Sequence, residues 1–351
     1  RTLKGATMTR TGLIRDKAYL EHITSDFHPE HPDRLRAIYS ILEDQELQGK
    51  TAVLQAREAT AEEIQWIHTE SYYQKIESTR DCGHRQLDPD THVSSQSYRA
   101  AKLAAGGLCV LVDAVCSGKI RNGFALVRPP GHHAEAARGM GFCIYNNIAI
   151  AARYAQNRGL AEKVLIVDWD LHHGNGTQHS FESDPSVLYF SSHQYPYYPG
   201  TGRPDETGTG KAKGYTVNVP LPGGQGDEDF IRIYQEILEP IATQFRPDLV
   251  LVSAGFDTYY RDPLGGMGMT EDGFAEITRI LMRIADACCQ GKIVLTLEGG
   301  YHLEGLAQCV KRVILALQGT GRPAAASPTP SHTTEQIVKH IRNTQKTYWR
   351  L

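Results

Sequence analysis

Short strand-like runs recur along the chain at 124–127, 164–167, 187–190, 215–219, 249–253 and 293–297, several of them continuously apolar. Several are rich in β-branched residues and show no polar alternation, the pattern of parallel strands covered on both faces. Between them, apolar positions at helical spacing predict helices over about 33–43, 61–79, 94–117, 146–157, 227–244, 270–287 and 303–317. Strands alternating with helices predict one α/β domain, a central and mostly parallel sheet flanked by helices. The pattern breaks near Gly321. Pro323 to Pro330, rich in Pro and Ala, reads as a linker. Thr333-x-x-Gln336 reads as a capping box that opens a short terminal helix or tail carrying Ile337, Val338 and Ile341. The expected division is therefore a non-native remnant over 1–7, with Met8 as the native start, a catalytic domain over 8–321, and a linker and short terminal helix or tail over 322–351.

Composition narrows the partners. With 40% hydrophobic and 22% charged residues and a formal net charge of −3, the chain has no basic block to suggest nucleic acid or an anionic membrane. It has no apolar run near the roughly 20 residues that cross a bilayer, and no apolar signal-peptide core near its start. The seven cysteines are odd in number and contain no C-x-x-C pair. That argues against a disulfide framework or a thiolate zinc site and favours a reducing, cytoplasmic setting. A homo-oligomer is compatible with everything in the chain.

The chemistry is concentrated at strand ends. Asp168-Trp-Asp170-Leu-His172-His173-Gly-Asn175-Gly176 follows the strand Val164–Val167. Burying that many ionisable groups without partners is unfavourable by several kcal/mol each. A divalent metal compensates most economically, because Asp and His are its ordinary oxygen and nitrogen ligands. Asp170 and His172 alternate about Leu171 and so point one way in extended chain, and Asp257 arrives just beyond the run 249–253. Asp170, His172 and Asp257 form the candidate ligand set; zinc leads, with Fe(II) and Co(II) also suited to it. A structural salt-bridge cluster is the bland alternative. Glu298-Gly-Gly-Tyr301 closes the run 293–297, and Arg128-Pro-Pro-Gly-His132-His133 closes 124–127. In an open parallel sheet these segments share one edge, where ligands bind.

A neutral imidazole of the His132–His133 pair beside a metal could take a proton from water. Asp168 and Asn175 are candidate partners for these histidines: a carboxylate favours an imidazolium, whereas an amide does not. Two histidines with different partners can therefore differ in protonation. Gly299 and Gly300 leave Tyr301 free to swing over the site as an oxyanion donor. His28-Pro-Glu30-His31 precedes a helix and reads as its cap, while Gly208-Thr-Gly-Lys211 lacks P-loop spacing.

Taken together, the Arg-Pro-Pro-Gly-His-His segment, Asp168–Gly176, Ala254-Gly-Phe-Asp257 with Asp262-Pro-Leu264-Gly-Gly266, and Glu298-Gly-Gly-Tyr301 resemble the zinc-dependent histone deacetylases. The closer resemblance is to class II enzymes and bacterial histone-deacetylase-like amidohydrolases, and it runs from about Thr11 to Gly321. It implies the arginase-deacetylase fold and hydrolysis of acetyl, or a related acyl group, from the ε-amine of lysine. Residue by residue, it implies zinc on Asp170, His172 and Asp257, and His133 as general base. It further implies His132 paired with Asp168 as electrostatic partner, and Tyr301 on the acyl oxygen. Gly141, Phe142 and Tyr198 would line a narrow tunnel, with the Asp90 region at its rim. The resemblance also implies structural potassium near Asp168, Asp170, His172, Ser191 and Ser192, and a second ion near Phe181, Asp184, Val187 and Tyr215. Asn175 follows the class II pattern, which keeps His133 neutral. Leu264 stands where polyamine-selective relatives carry Glu, so an acetyl-lysine protein or peptide is the expected substrate. Acetylpolyamines or other small acylated amines form the enzymatic alternative, and an acyl-lysine binding module without turnover is the non-enzymatic one.

Overall fold

The computed structural model describes residues 10–80, 82–321 and 330–351; the expectations for the non-native remnant over 1–7, for Met8 and for most of the 323–330 linker fall outside these residues. In chain order the strands are β1 (Thr11–Ile14), β2 (Thr51–Leu54), β3 (Arg85–Asp88), β4 (Thr91–Val93), β5 (Asn122–Ala125), β6 (Val164–Asp168), β7 (Val187–Gln194), β8 (Thr216–Leu221), β9 (Leu249–Ala254) and β10 (Ile293–Leu297). Eight of them form one sheet in the order β2-β1-β5-β10-β9-β6-β7-β8, and β3 and β4 form a separate antiparallel pair. Every pairing in the large sheet is parallel. Each connection must therefore cross back over a face, and the crossovers are largely helical, as the alternating pattern requires. All residues of β6, β9 and β10 are buried, which is why these strands read as mostly apolar runs without polar alternation.

The helices over 97–116, 147–157, 271–289 and 303–317 lie where helical spacing places them. The long helix expected over 61–79 is instead two helices, Ala61–Gln65 and Glu70–Glu77. Tertiary bonds break it. The Thr69 N–H donates to Ala136 O at 2.8 Å, and the His68 ring reaches Glu135 O through Nδ1 and the Asn146 N–H through Nε2, both at 2.9 Å. Strands β1 and β2 and the helix Asn175–Phe181 lie outside the patterned segments; each is short, and β1 and the helix carry glycine. The terminal helix spans His332–Gln345 and is capped by Ser331, whose side chain accepts from the Thr334 N–H. Thr333 is thus not the cap.

The capping reading of the segment His28–His31 holds for His31, whose Nδ1 accepts from the Asp33 N–H at 3.3 Å, but not for Glu30. The helix Asp33–Ile41 has Pro32 at its N-cap, while Glu30 is fully buried between two arginines. Arg128 donates to its carboxylate at 2.5 and 2.6 Å, and Arg34 donates at 3.0 Å. Arg34 then donates to the carbonyls of Glu298 (2.5 Å) and Gly300 (2.6 Å), clamping the segment that carries Tyr301. Glu30→Ala leaves both guanidinium groups buried without their carboxylate, so denaturant unfolding is expected to show a loss of about 3–5 kcal/mol. A loss below about 1 kcal/mol would mean that the ion cluster adds no net stability.

Candidate active site

Because the large sheet is parallel, the carboxyl ends of β5, β6, β9 and β10 open on one edge. Asp168 is the last residue of β6 and sits in register with Ser253 of β9 and Ser191 of β7. Asp170 and His172 follow in a bend rather than in extended chain, yet the bend still brings them together. His172 Nδ1 lies 3.1 Å from Asp170 Oδ1 and 3.1 Å from Asp257 Oδ2.

These three side chains present donor atoms that all lie within 4.8 Å of one another. Asp170 and Asp257 are buried, and burial opposes the imidazolium of His172; the two carboxylates nonetheless raise its pKa to about 10. The pocket therefore draws positive charge to this point. Two backbone approaches shape it. A Cβ at Gly255 would lie 2.0 Å from Asp170 Oδ2, and one at Gly299 would lie 2.3 Å from Asp257 Oδ2. The Gly299 N–H donates to Asp170 Oδ2 at 2.8 Å, and the Leu171 N–H donates to Asp257 Oδ1 at 2.9 Å. Two carboxylates and one imidazole, buried, converging and backed by glycine, fit a divalent metal. A second group, His132, Cys143 and Glu298, is equally close but already committed. Glu298 accepts from the N–H groups of Gly131 and His132 and from the Ser253 hydroxyl, and Cys143 donates to Gly141 O.

The two histidines face different partners. His132 Nδ1 lies 3.0 Å from Asp168 Oδ2, and His133 Nδ1 lies 2.8 Å from Asn175 Oδ1. Burial disfavours the cation of His132, but Asp170 and Asp168 outweigh it and lift the pKa to about 10. For His133, burial and the neighbouring His132 and His172 act together and hold the ring well below the usual histidine range. Its amide partner offsets little of this. Tyr189 donates a further bond to Asp168 Oδ2 at 3.1 Å. Nothing in the pattern of β7 singled that tyrosine out.

Beside these groups lies a cavity of about 340 Å³, lined by His133, Tyr301, Phe142, Tyr198 and Leu264 among others, with Asp90 on the same wall. Gly141 lines it as well, at φ 55°, where a Cβ would strike the His133 ring. Phe142 adopts φ 68°, a strained backbone for a bulky residue, with its N–H held by Thr91 Oγ1 at 3.1 Å. Gly300, at φ 114°, supplies the turn that brings Tyr301 to the wall. The ring of Tyr301 packs edge-on to Phe142 at 5.8 Å, with the Arg34 guanidinium 4.9 Å away. Tyr197, which sequence reasoning passed over, stacks on His172 at 5.7 Å and donates to Leu264 O at 2.8 Å.

The remaining residues lie close by. His173 faces Thr201 and Gln178 rather than the Asp170, His172 and Asp257 cluster. Ser191 contacts His193, and Ser192 contacts Tyr234. Phe181, Asp184 and Val187 share one turn, and the Asp184 carboxylate is engaged by Arg153 and Ser186. Tyr215 lies just before β8, its carbonyl accepting from the Tyr189 N–H.

In this parallel α/β sheet, strand ends converge on buried carboxylates and imidazoles beside an aromatic cavity, an arrangement that fits a divalent metal. More narrowly, residues 28–317 match the family model described as the histone deacetylase domain, and the chain belongs to that family. It is 44% identical over 329 residues to Histone deacetylase 15 of Arabidopsis thaliana, covering 92% of this chain and 59% of that protein. It is 40% identical over 321 residues to a protein named Probable deacetylase from Archaeoglobus fulgidus, covering 91% of this chain and 89% of that one. The chain thus spans about six-tenths of its plant relative and most of its archaeal one. The crystal structure of the HDA15 HD domain superposes with a TM-score of 0.92 at 42% identity, over 97% of this chain and 96% of that chain. Among the described residues no helix is long and apolar enough to cross a membrane, and all seven cysteines are free.

Proposed function

We propose that this domain hydrolyses the amide of acetylated lysine side chains in proteins or peptides, with a divalent metal, zinc first, held by Asp170, His172 and Asp257. The observation that carries the reading is the convergence of this triad, the His132–His133 pair and Tyr301 on one aromatic-walled cavity. When bound, the ion supplies Lewis acidity, polarising an amide carbonyl and making water more acidic.

The chain's own groups supply the rest. His133, neutral near pH 7, takes the proton of the attacking water. His132, held as a cation by Asp168 and Asp170, stabilises developing negative charge. The Tyr301 phenol, kept protonated by burial, donates to the oxyanion of the tetrahedral intermediate. The imidazolium formed at His133 then returns a proton to the departing amine. Phe142 and Tyr198 suit the thin aliphatic stem of an acyl-lysine. Structural potassium belongs to the same reading, one ion near Asp168, Asp170, His172, Ser191 and Ser192 and one near Phe181, Asp184, Val187 and Tyr215.

Leu264 puts an apolar side chain on the cavity wall at the position where polyamine-selective relatives carry Glu, and this favours peptide over polyamine. Comparing kcat/KM for an acetyl-lysine peptide and for acetylputrescine tests the choice. The peptide is expected to be the better substrate by more than tenfold. The reverse order would make the protein a small-amine deacetylase, and binding without turnover of either would make it a reader of acyl-lysine.

A further inference from the structure

We propose that Glu135 is a positioning residue for the hydrolysis: it fixes the orientation of the Asn175 side-chain amide and thereby the tautomer of His133. The inference rests on His133 acting as the base. It starts from an ambiguity that every asparagine carries, since its amide can present either oxygen or nitrogen to a neighbour. For Asn175 the surroundings remove the ambiguity. One end of the amide faces the Glu135 carboxylate at 2.5 Å, His133 O at 3.3 Å and Met140 Sδ at 3.6 Å. All three are acceptors, and an ionised carboxylate has no proton to give, so this end must be the NH₂ group. The other end, Oδ1, then faces His133 Nδ1 at 2.8 Å, and that nitrogen must carry the proton.

The consequence falls on the far side of the ring. With Nδ1 protonated, Nε2 of neutral His133 keeps its lone pair and can accept a proton. Were the amide reversed, its NH₂ would donate to Nδ1 and leave the proton on Nε2, where the ring cannot act as base. Reversal would also set the amide oxygen against the Glu135 carboxylate, two acceptors with no proton between them. Glu135 is itself held in place. Its carbonyl accepts from His68 Nδ1 at 2.9 Å and its N–H donates to Arg138 O at 2.8 Å. Its carboxylate is flanked by His179 Nδ1 at 2.8 and 3.1 Å. Burial alone would favour the neutral acid, but the bonds from His179 and Asn175 hold its pKa below the usual range.

Glu135→Ala is expected to lower kcat roughly 10–100-fold, the range for residues that orient a primary group, with KM little changed. Glu135→Gln, whose carbonyl can still accept from Asn175, restores most of the rate. In an Asn175→Ala background Glu135→Ala adds no further loss, whereas a role confined to folding would add its full effect. The tautomer is read directly from the ¹⁵N shifts of the His133 ring in the metal-loaded protein. The wild type shows protonated Nδ1, and Glu135→Ala shows both tautomers. An unchanged tautomer in Glu135→Ala, or additive losses in the double variant, overturns the proposal. Full activity of His133→Ala would instead overturn the assignment of the base, and the ring shifts would still decide the role of Glu135.

Discussion

Asp257→Asn is expected to abolish acetate release while leaving the fold intact. The substitution keeps the oxygen that accepts from the Leu171 N–H at 2.9 Å and replaces the one that faces His172 Nδ1 at 3.1 Å. It also removes one of two negative charges buried side by side; burial and Asp170 already push the Asp257 carboxyl above its usual range. The metal-free variant should therefore unfold at a temperature no lower than the metal-free wild type. What disappears is the rise in Tm on adding zinc, because a ligand stabilises a protein only in proportion to its binding. Metal analysis after gel filtration, paired with thermal unfolding, measures both effects. A variant that retains one zinc per chain and wild-type turnover would remove Asp257 from the metal centre.

Tyr301→Phe separates catalysis from binding. The ring keeps its edge contact with Phe142 and its place beside Arg34, and only the hydroxyl is lost. Burial holds this phenol well above its ordinary pKa, so across neutral pH it is a donor and never an anion. A donor that meets charge appearing only in the transition state affects kcat more than KM, and removing one lowers kcat about 10²–10³-fold. Zinc content and KM for an acetyl-lysine peptide should stay near wild type. Equal rates for the two proteins would take Tyr301 out of the mechanism, and a large rise in KM alone would make it a binding residue.

The sheet was legible because its central strands are buried on both faces and so are mostly apolar, as in Val164–Val167 and, with Thr296 the one polar position, Ile293–Leu297. Strand β7 was legible only as far as Phe190. Its continuation through Ser191, Ser192 and His193 is polar and buried, since these residues turn toward other polar groups rather than toward the apolar core. The candidate ligand triad stood out because Asp170, His172 and Asp257 sit at or just past strand ends, and a parallel sheet brings such positions together. The groups that orient the site were much less visible. Tyr189, Tyr197 and Glu135 reach it from a buried strand, a surface loop and a turn, and no local spacing marks them. The same is true of Glu30, whose partners Arg34 and Arg128 include one 98 positions away. Contacts of that kind are set by the packing of distant segments rather than by any periodic signal.

The most direct measurement is acetate release from an acetyl-lysine peptide by protein stripped of metal with a chelator and then titrated with zinc. Release should be absent at the start, rise in proportion to bound zinc and level off at one ion per chain. Release that persists at the wild-type rate in the stripped protein, or that does not respond to added zinc, would contradict a metal-dependent deacetylase.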